Sequence, residues 1–198
     1  MLAIGGLTAT QAELISIIDE EATMLAQLTT RLLQTAALEA KEVRLRRSLQ
    51  SMPMLLEKVL HAGDVSTQER IQIQAQPDLQ TIRVDAQLVE LALVQLIDNA
   101  AKYATVGTPI LISIAQSMEE TIVTVTNEGP SIRIEDRERI FERYYRGVPS
   151  PHRPTGTGLG LSIVRKTAEA HGGRAWVECS GTTIRFTFTV ANARRVSR

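Results

Sequence analysis

The 198-residue chain has a single cysteine, Cys179, so no disulfide can form within it. It contains no apolar run approaching the roughly 20 residues a helix needs to span a bilayer, so this segment is expected to be soluble, cytoplasmic and free of membrane contact. It also lacks a charge excess, because 22 Lys and Arg stand against 22 Asp and Glu. That balance excludes the general attraction on which nucleic-acid binding rests. The one local basic excess, Arg194, Arg195 and Arg198, reads as a solvated tail. Repeats and low-complexity segments are absent as well. What is present is 43% hydrophobic residues, enough for one core with an appended helix.

Histidine is scarce. His61 falls near a helix end, His152 in a glycine-bearing loop and His171 before two glycines, and each reads as a solvent-exposed or helix-terminal imidazole.

Periodicity supplies the elements. From Leu14 to Leu33 an apolar stripe of Leu14, Ile18, Leu25, Leu28 and Leu32 predicts a long helix with one sticky face. Helix gives way to strand near Lys41 to Gln50, and a short helix follows from Met54 to His61 with Gly63 as its stop. Strands are expected at Arg70 to Gln76, Ile110 to Ala115 and Thr121 to Val125, the last two joined by a polar turn around Met118 to Glu120. Asp85 suits the N-cap of a helix carrying Leu88, Leu91, Val94, Leu96 and Ile97. Arg174 to Cys179 and Thr182 to Val190 flank Ser180-Gly181 and predict a closing hairpin. The fold class expected is α+β, a two-layer α/β sandwich with helices on one face of a mixed sheet, preceded by the long N-terminal helix.

The most informative segment is Gly156-Thr157-Gly158-Leu159-Gly160-Leu161, which runs into Ser162-Ile-Val-Arg-Lys-Thr-Ala-Glu-Ala-His171. Alternate glycines let backbone approach an anion closely, and the apolar run behind them can start a helix whose free N–H groups attract phosphate. The spacing offers neither the Lys of a P-loop nor the third glycine of a dinucleotide fingerprint. A glycine cluster alone also makes ordinary loops, so the company it keeps decides. Upstream lie Leu93-Val-Gln95-Leu-Ile-Asp-Asn99-Ala-Ala-Lys102-Tyr103-Ala, then Val123-Thr-Val-Thr-Asn127-Glu-Gly129-Pro-Ser131-Ile132, then Ile140-Phe141-Glu-Arg-Tyr144-Tyr145-Arg146-Gly147.

These four blocks, in this order, resemble the N box, first glycine box, F box and second glycine box of the ATP-binding catalytic domain of sensor histidine kinases, in the superfamily shared with DNA gyrase, a heat-shock chaperone and a mismatch-repair ATPase. The resemblance covers roughly Val43 to Ala191. It implies ATP and Mg2+ as cofactors, with Asn99 as metal ligand, its amide oxygen being a hard donor suited to Mg2+. Lys102 would reach the phosphates and Tyr103 would pack on the base. At the preceding family Asn stands Gln95, a possible second metal ligand with more rotamer freedom to lose. Gly129 would allow close approach to the base, beside Ile132, and Gly156 to Leu161 would wrap the phosphates. Arg146 is the candidate clamp on the terminal phosphate, so Asn99, Lys102 and Arg146 form the expected catalytic set. Phe141, Tyr144 and Tyr145 read as packing residues, and Gly147 to Thr157, with three prolines, as a mobile lid. Within it Arg153 is more readily a solvated charge than a phosphate ligand.

Two departures stand out. The usual Asp that accepts the adenine amino hydrogen is Asn127, and the second glycine is Ser131. Asn still accepts through its oxygen, but a neutral bond is about half as strong as a charge-assisted one, a difference of about 1 kcal/mol.

By the same resemblance residues 1–42 look like the second helix of a dimerisation and histidine-phosphotransfer domain, and 43–198 like the catalytic domain. The phosphate-accepting His, expected on the preceding helix beside an acidic residue, has no match, so the chain is expected to be a fragment. The intact kinase would be a homodimer that phosphorylates a histidine and passes the phosphoryl group to a response regulator receiver domain. Two alternatives stay open: an anti-sigma-factor-type serine kinase, against which the long N-terminal helix and full F box argue, and a degenerate nucleotide-site scaffold.

Overall fold

The computed structural model describes residues 45–146 and 157–192, with positions 10, 11, 13–15, 17 and 18 of the amino-terminal segment. The chain divides into two compact units, Met1–Glu42 and Val43–Arg198. In the first, the described positions are helical and Leu14, Ile15, Ile17 and Ile18 are exposed. Leu25, Leu28 and Leu32 lie outside the described residues, and so do Gly147 to Gly156, which include most of the expected lid with His152 and Arg153.

The second unit opens with strand β1 (Ser48–Gln50), helix α1 (Met52–His61) and a single helical turn, α2 (Val65–Gln68). Strands β2 (Ile71–Ala75) and β3 (Ile82–Val84) lead into the long helix α3 (Ala86–Tyr103), then β4 (Ile110–Gln116) and β5 (Glu120–Glu128). Two 3-10 turns, Ile134–Asp136 and Arg139–Phe141, precede helix α4 (Gly160–Ala170) and the final pair β6 (Ala175–Ser180) and β7 (Thr183–Ala191).

Five strands form a mixed sheet in the order β2-β4-β5-β7-β6, while β1 and β3 make a separate antiparallel ribbon. The β2–β4 pair is parallel and the remaining pairs of the sheet are antiparallel. Alternate residues Ile110, Ile112 and Ile114 of β4, Val123 and Val125 of β5, and Ile184, Phe186, Phe188 and Val190 of β7 turn into one core. Against them pack Leu55 and Leu56 of α1, Val89, Leu93, Leu96 and Ala100 of α3, and Val164 and Ala168 of α4. Each fully buried aliphatic side chain contributes about 2 kcal/mol by area, which fixes α3 and α4 against the sheet. The expected two-layer mixed-sheet sandwich is thus what forms.

Local chemistry explains the boundaries. Asp85 caps α3 as expected, its carboxylate accepting from the Leu88 N–H at 3.3 Å. Pro53 sits in the first turn of α1, where a missing N–H costs nothing, and α1 starts two residues earlier than predicted. Gly63 does not act as a left-handed stop: α1 ends at His61, Ala62 is right-handed, and the Gly63 N–H closes on Leu60 O at 3.0 Å. Of the strand expected near Lys41 to Gln50, residues 45–50 are described and Ser48–Gln50 alone among them form strand.

Of the two expected readings of His171, the helix-terminal one holds: it ends α4, and it is not solvent-exposed, at 2%. The Asp85 N–H donates to its Nε2 at 3.0 Å, so Nδ1 carries the proton and donates to Thr167 O at 2.7 Å. Burial, ahead of all other influences, pushes the imidazole below its ordinary pKa and keeps it neutral. The ring therefore joins the start of α3 to the end of α4.

Candidate functional site

The last turns of α3 present Gln95, Asn99, Lys102 and Tyr103 at spacings of four, three and one, so the first three share a neighbouring face. Leu93, Leu96 and Ala100 hold the helix by the opposite side. Asn99 and Tyr103 are half-buried and Lys102 is exposed. The chain leaving α3 is tied to the end of β5 by the Thr105 N–H, which donates to Glu128 O at 2.7 Å. Gly129 follows at once: a Cβ there would lie 2.5 Å from Tyr103 O, a separation no side chain tolerates. Its N–H donates to Thr182 O in the β6–β7 turn at 2.8 Å. The N-box and first-glycine-box residues therefore meet across one backbone contact.

Asn127 lies on the inward side of β5 and is 2% exposed. Its Nδ2 donates to Glu128 O at 3.3 Å, which orients the amide, and its Oδ1 has no partner among the described residues. Gln95, 5% exposed, has an equally unpartnered Nε2. Each unpaired buried polar atom costs about 1–3 kcal/mol, and such exceptions mark places where something else is to be bound.

The second glycine box brings the backbone in closely. Gly156 lies outside the described residues, while Thr157 to Leu161 are in place. Gly158 has φ +72°, and a Cβ there would fall 2.8 Å from Tyr144 Cα. Tyr144 itself adopts φ +60° and donates its N–H to Gly158 O at 3.0 Å, locking the end of the F box onto the glycine loop. Gly160 opens α4, and a Cβ there would fall 2.7 Å from Gln95 Oε1. Among the described residues no side chain caps α4, so its first-turn N–H groups remain available to an anion. Leu159 is buried in the core and Leu161 packs against it, so these two serve the loop through backbone. Ile132 likewise packs against the core.

A cluster that sequence reasoning missed ties the F box to the segment just before it. Asp136 is buried; the Tyr145 hydroxyl donates to its Oδ1, and Arg133 donates through Nε at 2.9 Å and Nη2 at 2.8 Å to its Oδ2. The Tyr145 hydrogen bond, reinforced by Arg133, holds the Asp136 carboxyl below the usual carboxylate range, and the same bond raises the Tyr145 phenol. Arg139 stacks 4.4 Å from the centre of the Tyr145 ring. Phe141 is a packing residue as expected, edge-on to Phe186 at 6.4 Å and covered by Arg165 at 4.8 Å. Tyr144, by contrast, is exposed, as is Arg146. An Asp nine residues ahead of a Tyr carries no periodic signal, which is why this pairing is illegible in the sequence.

Among the described residues no group of three or more His, Cys, Asp or Glu converges on a cation position. A surface hollow lined by Met118, Glu119, Glu120, Gly172, Ala191 and Asn192 contains none of the residues above.

Residues 84–192, more than half the chain, match the family model described as "Histidine kinase-, DNA gyrase B-, and HSP90-like ATPase". The chain belongs to this family of ATPases. Within the family it is similar to the sensor protein IrlS of Burkholderia pseudomallei, 44% identical over 108 residues, which is 54% of this chain and 23% of that protein. It is 29% identical to the sensor histidine kinase WalK of Bacillus subtilis, over 86% of this chain and 29% of WalK. It is 33% identical to the adaptive-response sensory kinase SasA of a Synechococcus strain, over 82% of this chain and 45% of SasA. The chain thus spans less than half the length of each of these relatives. Among solved structures, full-length ShkA in complex with AMPPNP superposes with a TM-score of 0.78 at 27% identity, covering 96% of this chain and 41% of ShkA. The ATPase fold is shared too with the histidine kinase ThkA in its complex with the response regulator TrrA, TM-score 0.68 at 24% identity, over 98% of this chain and 55% of the other. Among the described residues no helix is long and apolar enough to cross a membrane.

Proposed function

We propose that this chain is the ATP-binding catalytic part of a sensor histidine kinase and that its site binds ATP with Mg2+. The observation that carries the reading is Asn127: a buried amide whose nitrogen is committed to Glu128 O presents an unpaired oxygen, the acceptor that the amino group of adenine requires. Gly129 supports it by keeping side-chain bulk away from Tyr103 O and from the Asn127 amide, whose Nδ2 would lie 3.3 Å from a Cβ there. Asn99 would hold the metal, Lys102 and Arg146 would meet the phosphates, and the N-terminus of α4 would add its free N–H groups. When bound, ATP supplies the phosphoryl group. The chain's own residues bind, orient and neutralise charge, which is what phosphoryl transfer asks of a protein. The acceptor would be a histidine outside this chain, and the onward partner a response regulator receiver domain, in a cytoplasmic homodimeric kinase whose dimerisation helices include residues 1–42. The relatives' description as sensor kinases favours this over an anti-sigma-factor-type serine kinase.

Calorimetric titration with ATP and ADP, with and without Mg2+, tests the reading alongside Asn99→Ala. Saturable, Mg2+-sensitive binding that weakens in the variant is expected. No binding at millimolar nucleotide would overturn it in favour of a scaffold whose nucleotide site has degenerated.

A further inference from the structure

Arg146 follows two tyrosines that the fold holds in different ways. Tyr144 is held through its backbone: its N–H donates to Gly158 O at 3.0 Å, and its φ of +60° is a left-handed conformation that a residue other than glycine adopts only at a cost. Tyr145 is held through its side chain. Its hydroxyl donates to Oδ1 of Asp136, and Arg139 lies 4.4 Å from the centre of its ring. Asp136 is fixed in turn, because it is buried and its Oδ2 accepts from Arg133 Nε at 2.9 Å and Nη2 at 2.8 Å. The segment carrying it is also tied to α4, where Arg165 Nη2 donates to Glu138 Oε2 at 2.8 Å. A buried carboxylate with its partners stabilises a fold no better than well-packed apolar side chains. Phe at position 145 would fill the same space and keep the Arg139 contact, so packing gives no reason for a hydroxyl aimed at a buried charge. What the bond does supply is direction: the chain reaching Arg146 is referenced to the glycine loop through Tyr144 and to the α4-bound segment through Tyr145.

Resting on the nucleotide-site reading above, we propose that Asp136 and Tyr145 are positioning residues for Arg146: the bond from hydroxyl to carboxylate fixes where the chain leaves the F box and so aligns the guanidinium with the terminal phosphate of ATP. In this role neither residue touches the nucleotide. Without the bond Arg146 keeps its charge, but it must lose more conformational freedom to reach the same geometry. The loss therefore falls on the terminal phosphate and spares the rest of the ligand. The same bond holds the Asp136 carboxyl below its ordinary range and raises the Tyr145 phenol, so an ionised acceptor and a neutral donor persist through neutral pH.

The test measures the affinities of ATP, ADP and adenosine in Mg2+ for the wild type, Tyr145→Phe, Asp136→Asn and Arg146→Ala, and for Tyr145→Phe combined with Arg146→Ala. Tyr145→Phe is expected to weaken ATP binding about fivefold and to leave ADP and adenosine within about twofold of wild type. Asp136→Asn keeps the shape, removes the charge and should show the same selectivity; it carries the test if the Phe variant fails to fold. In the Arg146→Ala protein Tyr145→Phe should change ATP affinity no further, because nothing is left to position. A merely structural hydrogen bond would spread the loss over all three ligands, or give the same loss with and without Arg146, and either result would overturn the proposal. Unchanged ATP affinity in Tyr145→Phe, or in Arg146→Ala, would overturn it as well. If the wild type binds no ATP at all, the nucleotide-site reading fails and takes the proposal with it, whereas wild-type binding with unchanged variants sinks the proposal alone.

Discussion

At its first turn α3 is closed in on itself, and at its last turns it is left open. Around Asp85 the carboxylate accepts from the Arg46 and Leu88 N–H groups, and the Asp85 N–H is taken by His171, whose other nitrogen is spent on Thr167. Arg47 adds a bond to Ala170 O at 3.1 Å. About 15 Å along the helix by its rise per residue lies Gln95 Nε2, and on β5 lies Asn127 Oδ1; neither atom has a partner among the described residues. The two ends are built from the same kinds of groups, so the difference lies in completion. A satisfied polar network fixes two helices, and an unsatisfied one waits for a ligand.

The strongest way to break this comparison is to remove the ring that completes the closed end. His171→Ala leaves the Asp85 N–H and Thr167 O unpaired and opens a cavity, so unfolding free energy should fall by about 3 kcal/mol in urea denaturation. Nucleotide affinity of the folded variant, measured in the cold, should stay within about twofold of wild type, because well-separated sites add independently. A variant of unchanged stability with lost nucleotide affinity would invert the assignment of the two ends.

The same ring sharpens the comparison through pH. His171 titrates below its ordinary value of about 6.5 because it is buried, so the unfolded chain binds the proton first as the pH falls. Its stabilising contribution is complete above about pH 6.5 and is lost on acidification toward the folded-state pKa, with a limiting slope of about 1.4 kcal/mol per pH unit for one proton. Asp136 is shifted in the same direction, but its loss begins only below the ordinary carboxylate range, about 3.9. Urea midpoints measured between about pH 7 and about pH 5 should fall for the wild type and run flat for His171→Gln.

What is legible in the sequence follows from the kind of signal each part carries. Strands β4, β5 and β7 alternate cleanly because one face meets the core, and Asp85 announces α3 because a cap is a local device. The three-residue β3 is not legible, since Ile82 and Val84 are too short a run to show a period. The parallel pairing of β2 with β4 depends on a crossover and leaves no local trace. At the site, Asn99, Lys102, Asn127 and the glycines are legible as motif positions. The orientation of the Asn127 amide is not, because it depends on the direction of Glu128 O, which only the fold sets. His171 is misleading for the same reason: its neighbours in sequence are small, while its neighbours in space are Asp85 and Thr167.

The smallest expected effect bears on the open end. Asn127 offers a neutral oxygen where a carboxylate would offer a charged one, and charge-assisted hydrogen bonds are roughly twice as strong. Asn127→Asp should therefore tighten ATP binding by about 1 kcal/mol, roughly fivefold, at neutral pH. The bond from Nδ2 to Glu128 O argues for a gain at the small end of that range, because the carboxylate gives up this donor and faces the carbonyl instead. Adenosine should gain by the same factor as ATP, since the contact is to the base. Calorimetric titration of both ligands decides it. An unchanged or weaker affinity for both would mean that the amide is kept for its donor to Glu128, with the oxygen idle, and the open end of α3 would then be defined by Gln95 and Asn99 alone.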